Sequence, residues 1–157
     1  MGSSSSSSKR VASATSKIMP GPPFLRYYAN YQLVAWQPRG VLDDRMLDEI
    51  AEWLFSIEKV AHPFKRFVDF SQLTRVAIDT GHVFDFAQMR AKQFTGVKAV
   101  RTAIFSEDLI GFLITLLYAS LMENTPIQAR AFRELTKAAE WLNVPVEVLG
   151  LKDKPMP

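Results

Sequence analysis

The stretch that decides the fold is FKRFVDFSQLTRVAIDTG, residues 64–81. Its first seven residues form a short run rich in aromatic and β-branched side chains, which predicts a buried strand. A polar loop follows, and Asp79-Thr80-Gly81 predicts the start of a helix. Ligands and partners meet open α/β sheets at the carboxyl ends of the strands. We therefore expect the working surface of the molecule at the loop that follows this strand.

Length and composition limit the domain count and the chemistry. A chain of 157 residues that is 48% hydrophobic is typical of one domain with its own core. It has no cysteine, and its two histidines are His62 and His82. These residues are too few for a zinc-type site with three or four histidine or thiolate ligands. We therefore expect neither a metal nor another cofactor.

The positive charge belongs to the N-terminal segment. The chain carries a net charge of +3, and Lys9, Arg10 and Lys17 account for all of it. The remaining residues are electrically balanced, so they lack the basic face that nucleic-acid binding requires. Residues 1–23 are Ser-rich and lack the apolar core of a signal peptide, so we interpret them as a disordered tail or tag. The expected location is cytoplasmic.

Beyond this tail, strands and helices alternate. We expect one domain over residues 24–144 and an extended tail over residues 145–157, which contains three prolines. The predicted strands are residues 24–28, 31–36, 64–70, 97–105 and 127–132. The predicted helices begin at Asp43 or Asp44, at Asp79 or Thr80, at Leu109 and at Leu135, and Gly96 is expected to close the second. The order ββαβαβαβα predicts an α/β fold with a mixed, mostly parallel five-stranded sheet flanked by helices.

The third predicted helix is apolar all the way round. Only Gly111, Thr115 and Ser120 interrupt its run of large apolar side chains. The run is nevertheless shorter than the roughly 20 residues of a membrane span. A helix on a sheet needs an apolar stripe about 100° wide, so something further must cover the surplus. The surplus residues are Leu113, Ile114, Leu117 and Leu121. A neighbouring helix, a second copy, a partner protein or an apolar ligand could cover them, and among the last three we prefer a homodimer.

Three segments carry a resemblance to a known family: PRGVL at 38–42, FVDF at 67–70 and AFRELTKAAEWL at 131–142. Together they resemble the SpoIIAA-like proteins, bacterial relatives of the STAS domain whose topology is similar to that of the CRAL-TRIO lipid-binding proteins. The resemblance covers about residues 24–144. It implies a small mixed sheet and a regulatory or binding role without catalysis.

The resemblance also points to a phosphoacceptor. STAS anti-anti-sigma proteins are phosphorylated on a hydroxyl residue at the start of the helix after the third strand, in a motif of aspartate, two serines and glycine. This chain has Asp79-Thr80-Gly81 there, one residue short of that motif, which makes Thr80 the candidate. The alternative is that Asp79 or Thr80 only caps the helix. Likewise, Asp69 and Ser71 in the preceding loop are either part of this site or bonded to loop amides.

The sequence predicts no catalytic residue. Asp79, Thr80 and His82 are an acid, a hydroxyl and a base, but neither a nucleophile elbow nor a glycine-rich oxyanion loop accompanies them. The leading hypothesis is a non-catalytic regulatory or protein-binding domain that acts through contacts with an unknown protein, with a homodimer as one option. The alternative is a carrier of a small apolar or lipid-like ligand, and an enzyme of unknown type comes third. We expect that the chain does not bind nucleic acid and is not itself an integral membrane protein.

Overall fold

The computed structural model describes residues 25–61, 64–93 and 99–150. Within these residues the chain forms seven strands, five α-helices and a short 3₁₀-helix at Ala29–Tyr31. The strands are β1 Arg26–Tyr28, β2 Leu33–Trp36, β3 Gly40–Asp43, β4 Lys65–Asp69, β5 Leu73–Ala77, β6 Val100–Phe105 and β7 Ile127–Phe132. The helices are α1 Asp44–Ala61, α2 Thr80–Gln93, α3 Leu109–Leu121, α4 Leu135–Leu142 and α5 Val146–Leu149.

The main sheet has five strands in the order β1-β2-β4-β6-β7. β1 and β2 form an antiparallel hairpin, and all further neighbours are parallel. The central strand is β4, in which Phe67 pairs with Ala35 on one side and with Ala103 on the other. The predicted α/β class, the opening hairpin and the mostly parallel five-stranded sheet are therefore confirmed.

The sheet is covered on both faces. Val68 packs in one core with α1, α2 and α3, whereas its neighbour Phe67 packs in a second core with α4 and α5. Successive residues of a strand point to opposite faces, so β4 is buried on both sides. This explains why its sequence is a nearly continuous apolar run and not an alternating one.

A second, two-stranded parallel sheet lies where the sequence predicted loops. β3 pairs with β5, with Leu42 opposite Val76. These strands were missed because each is short and half-exposed: in β3, Leu42 is buried whereas Val41 is exposed. The predicted element order therefore lacks β3 and β5.

The C-terminal prediction is corrected at residues 145–150. Instead of an extended tail, the chain forms the single-turn helix α5, and Leu149 is fully buried against the second core. Pro145 precedes this turn, a position that needs no backbone donor, and burial of Leu149 stabilises it. Other predicted features lie outside the described residues. These are the tail at 1–23, residue 24 of the first strand, His62-Pro63, Gly96, the strand start at 97–98 and the tail at 151–157.

Candidate functional site

Asp69, at the carboxyl end of β4, joins the ends of two strands. Its buried carboxylate accepts a hydrogen bond of 2.8 Å from the backbone N–H of Ser71 and one of 2.9 Å from Nε2 of Gln37. Gln37 is also buried, and its Oε1 accepts a hydrogen bond from Arg39. The structure thus shows Asp69 bonded to a loop amide, and its place in a phosphoacceptor site stays a prediction.

Thr80 is the first residue of α2 and is exposed. The carbonyl of Asp79 accepts hydrogen bonds from the backbone N–H groups of His82 and Val83. The backbone N–H of Asp79 donates to Oδ1 of Asp44. Among the described residues, no hydrogen bond links Asp79 or Thr80 to Asp69 or Ser71. The four predicted residues therefore form two separate groups, and phosphorylation of Thr80 stays a prediction.

His82 belongs to a link between two helices. Its Nε2 lies 2.6 Å from Oδ1 of Asp48 in α1. This hydrogen bond raises the pKa of His82, and the negative charges of Asp48, Asp44 and Asp85 add to the effect. The imidazole thus faces Asp48 across the α1–α2 contact. Nothing in the local sequence could reveal this pairing, because the two residues are far apart in the chain.

A buried ionic cluster lies between the sheet and the three helices. Glu58 of α1 accepts a bidentate pair of bonds from Arg90 of α2, at 2.9 and 2.6 Å, and forms an ion pair with Arg66 of β4. Tyr118 of α3 completes the cluster by bonding to Arg90. Each of the three helices and the central strand β4 contributes one residue, so the cluster links the helices to the sheet.

Burial affects the pKa values of the side chains in this cluster. Burial lowers the pKa of Arg66 to about 10, although the charge of Glu58 opposes the shift. Burial also acts to lower the pKa of Arg90, but the hydrogen bonds and charge of Glu58 outweigh it and raise that pKa. Burial raises the pKa of Tyr118, against the effect of both guanidinium groups. One signal of the cluster is visible in the sequence: Arg66 and Arg90 occupy positions where the apolar pattern predicts core side chains.

The outer face of α3 exposes four large apolar side chains, which we call the α3 stripe. These are Leu109, Ile110, Leu113 and Leu116, with exposed fractions of 57, 58, 53 and 44%. The opposite side of the helix is buried, and Gly111 packs so closely there that a Cβ atom would lie 2.6 Å from Oγ of Ser106. This side therefore holds α3 against the domain while the stripe faces outward.

The residues that the sequence singled out on α3 divide into two groups. Leu113 belongs to the α3 stripe, whereas Ile114, Leu117 and Leu121 are half-buried and pack on the core shared with α1 and α2. A neighbouring helix thus covers part of the surplus, and the rest remains exposed. The sequence could not separate the two groups, because α3 contains no charged residue to mark its outer side.

A cavity of about 70 Å³ lies between the sheet and helices α1, α2 and α3. Most of its lining is apolar and includes Trp36, Val68, Phe86 and Ile114. Thr102, Thr115 and Tyr118 also line it. The cavity lies beside α3, the helix for which an apolar ligand was one of the predicted ways to cover the surplus apolar residues.

Comparisons with known proteins concern the fold. No family model matches the chain, and no curated protein matches it. A solved structure does: an uncharacterised protein from the DUF3478 family with a SpoIIAA-like fold, from Shewanella loihica PV-4. The identity is 18%, the match covers 70% of this chain and 83% of that one, and the TM-score is 0.44. That protein has the fold that the sequence resemblance named.

Within the described ranges, none of the helices has both the length and the apolar character that crossing a bilayer requires. In the same part of the chain, no three histidine, cysteine, aspartate or glutamate side chains lie close enough together to hold a metal ion.

The buried cluster yields a stability prediction. We expect Glu58→Gln to lower the free energy of unfolding by about 3–5 kcal/mol, because it leaves two buried guanidinium groups without their shared carboxylate. The control is Glu49→Gln in the same helix, which removes only the exposed pair with Arg45 and should cost less than about 0.5 kcal/mol. Urea unfolding followed by circular dichroism measures both. Equal losses in the two variants would contradict the role of the cluster.

The pair of His82 and Asp48 yields a pH prediction. The pKa of His82 lies above its usual 6.5, so the pair adds stability that is complete at lower pH and is lost as pH rises through the folded-state pKa. We expect Asp48→Asn to move the pKa of His82 back toward its usual value and to remove this pH dependence. Asp85→Asn, which removes only a nearby charge, should change the pKa less. An NMR titration of the imidazole tests this, and an unchanged pKa in Asp48→Asn would refute it.

Proposed function

We propose that this chain is a non-catalytic regulatory or protein-binding domain that makes its contact through the α3 stripe. The observation that carries the proposal is the exposure of Leu109, Ile110, Leu113 and Leu116 on one helix face. Soluble monomeric proteins rarely expose contiguous apolar patches of this kind unless they bind something there. The resemblance to SpoIIAA-like proteins supports the same class of function.

The partner that fits the stripe best is a second copy of the chain. Since α3 has no charged residue from Leu109 to Leu121, the stripe cannot select a partner by charge, and an equally apolar surface is its natural complement. A face that pairs with itself across a two-fold axis provides that complement. α3 also packs against β7, the last strand of the sheet. It is therefore the outermost of the three helices on that side, where another copy can approach.

A second candidate function is the binding of a small apolar molecule, and the cavity beside α3 favours it. At about 70 Å³, this cavity is less than half the size of an engineered cavity of roughly 150 Å³ that binds benzene. A fitting ligand is therefore smaller than benzene, and an acyl chain of lipid length would have to displace core side chains. The third hypothesis is an enzyme of unknown type, for which the sequence predicts no catalytic residue.

Self-association through the stripe predicts the effect of a charge placed in it. We expect the wild-type chain to form dimers in a concentration-dependent way and Leu113→Glu to weaken the dimer at least about tenfold, since an apolar contact then buries a charge. Leu113 is more than half exposed, so the variant should fold normally. Sedimentation velocity over a range of concentrations measures this.

The matched control is Met89→Glu, which places the same charge at an exposed apolar position on α2. It should dimerise like the wild type. A wild-type chain that stays monomeric at every concentration would exclude a second copy as the partner. Equal weakening by both variants would show that the contact surface is not the α3 stripe.

A further inference from the structure

The outer edge of β7 carries backbone groups that the main sheet does not use. β7 is the last strand of that sheet in the described part of the chain. The carbonyl of Phe132 accepts a hydrogen bond of 3.0 Å from the N–H of Ser106, so Phe132 points its backbone groups toward the β6 side. Successive residues of a strand alternate in this direction, so Arg130 also points toward β6, whereas Ala129 and Ala131 point to the outer edge. An edge of unpaired N–H and C=O groups is a template for a further strand.

The α3 stripe alone is too small to hold two chains together stably. Four aliphatic side chains that are each about half exposed offer roughly 250 Å² at most. A stable interface takes about 800 Å² from each partner. Because α3 packs on β7, the outer edge of β7 is the neighbouring surface that can supply the missing contact.

We propose that β7 pairs antiparallel with β7 of a second copy, which joins the two main sheets into one and brings the two α3 stripes together. The inference rests on the proposed self-association and names a second surface that takes part in it. α3 begins near the end of β6, where Gly111 approaches Ser106, and packs on β7. Since neighbouring strands are about 4.8 Å apart, a helix above β6 and β7 lies about 5 Å from a two-fold axis at the outer edge. The two α3 helices are then about 10 Å apart, a distance at which helices pack.

The side chains of β7 select the register of this pairing. Arg130 is exposed, with its guanidinium 5.5 Å from the ring centre of Phe132, and two copies of Arg130 placed opposite each other would repel. A register in which Ala129 lies opposite Ala129 of the second copy avoids that contact and places Gln128 opposite Arg130. In this register the two Ala129 residues exchange both N–H···O bonds, as the residues of a hydrogen-bonded antiparallel pair do.

Amide hydrogen exchange, followed by NMR of the full chain, tests the strand pairing. The comparison is between the wild-type dimer and Leu113→Glu, in which the contact between the stripes is weakened. We expect the N–H of Ala129 to exchange about threefold to tenfold more slowly in the dimer, the usual effect of one hydrogen bond. The N–H of Arg130 is the internal control, because it points toward β6 and should be protected equally in both.

The charge at position 128 tests the register by sedimentation velocity. Gln128→Glu places a carboxylate opposite Arg130 of the second copy and should tighten the dimer about twofold to tenfold, whereas Gln128→Lys should weaken it by a similar factor. Gln128 is exposed, so both variants should fold. The matched controls are Gln88→Glu and Gln88→Lys, which change the net charge equally at an exposed position on α2 and should dimerise like the wild type.

The outcomes separate the β7 pairing from the proposed function. If Leu113→Glu weakens the dimer but Ala129 exchanges equally fast in both chains, the β7 pairing is wrong while the α3 stripe remains the contact. If Ala129 is protected but the Gln128 variants behave like their controls, the pairing is supported and its register is wrong. A wild-type chain that is monomeric at every concentration makes both proposals wrong. Slower exchange of Ala129 in the dimer, with opposite effects of the two Gln128 variants, supports both.

Discussion

The handedness of the strand crossovers determines the rest of this structure. From β2 to β7 every crossover moves one strand further in the same direction, and parallel crossovers are almost always right-handed. The three connecting helices must therefore lie on the same face of the sheet, as their shared core shows. The last of them, α3, packs on the edge strand β7 and has a helical neighbour, α2, on the inner side. Its outward side is exposed as a direct consequence of the topology.

The same arrangement explains the buried ionic cluster. Three helices on one sheet face bring side chains from α1, α2 and α3 together over β4, and Glu58 there serves two guanidinium groups. Buried ion pairs often add little net stability, because removing charges from water costs about as much as their attraction returns. Their better-attested role is to fix one arrangement of elements. In this molecule the cluster connects α1, α2 and α3 to β4, and its Tyr118 also lines the cavity.

Much of the fold could be predicted from the sequence, because its main signals are local. The apolar run around Val68 predicted a buried strand, and β4 is the third of five strands. The short strands β3 and β5 were missed, since four or five half-exposed residues give no clear periodicity. Helix α5 was missed because a proline-containing segment resembles an extended tail, and only the burial of Leu149 in the folded molecule reveals otherwise.

The site was less accessible to sequence reasoning, because it depends on contacts between distant segments. The apolar excess of α3 was visible, but the division between exposed Leu113 and half-buried Leu117 depends on where α2 lies. The pairing of His82 with Asp48 and the cavity beside Trp36 arise only when α1, α2 and the sheet come together. The residue types alone indicate neither the pairing nor the cavity.

The proposal that the α3 stripe contacts a second copy can be tested directly by NMR on a mixture of carbon-13-labelled and unlabelled chains. Isotope-filtered nuclear Overhauser effects detect only contacts between different molecules. We expect such effects from the methyl groups of Leu109, Leu113 and Leu116, which are exposed in the single chain. Intermolecular effects that come instead from α4, for example from Leu135, or no intermolecular effects at all, would contradict the proposal.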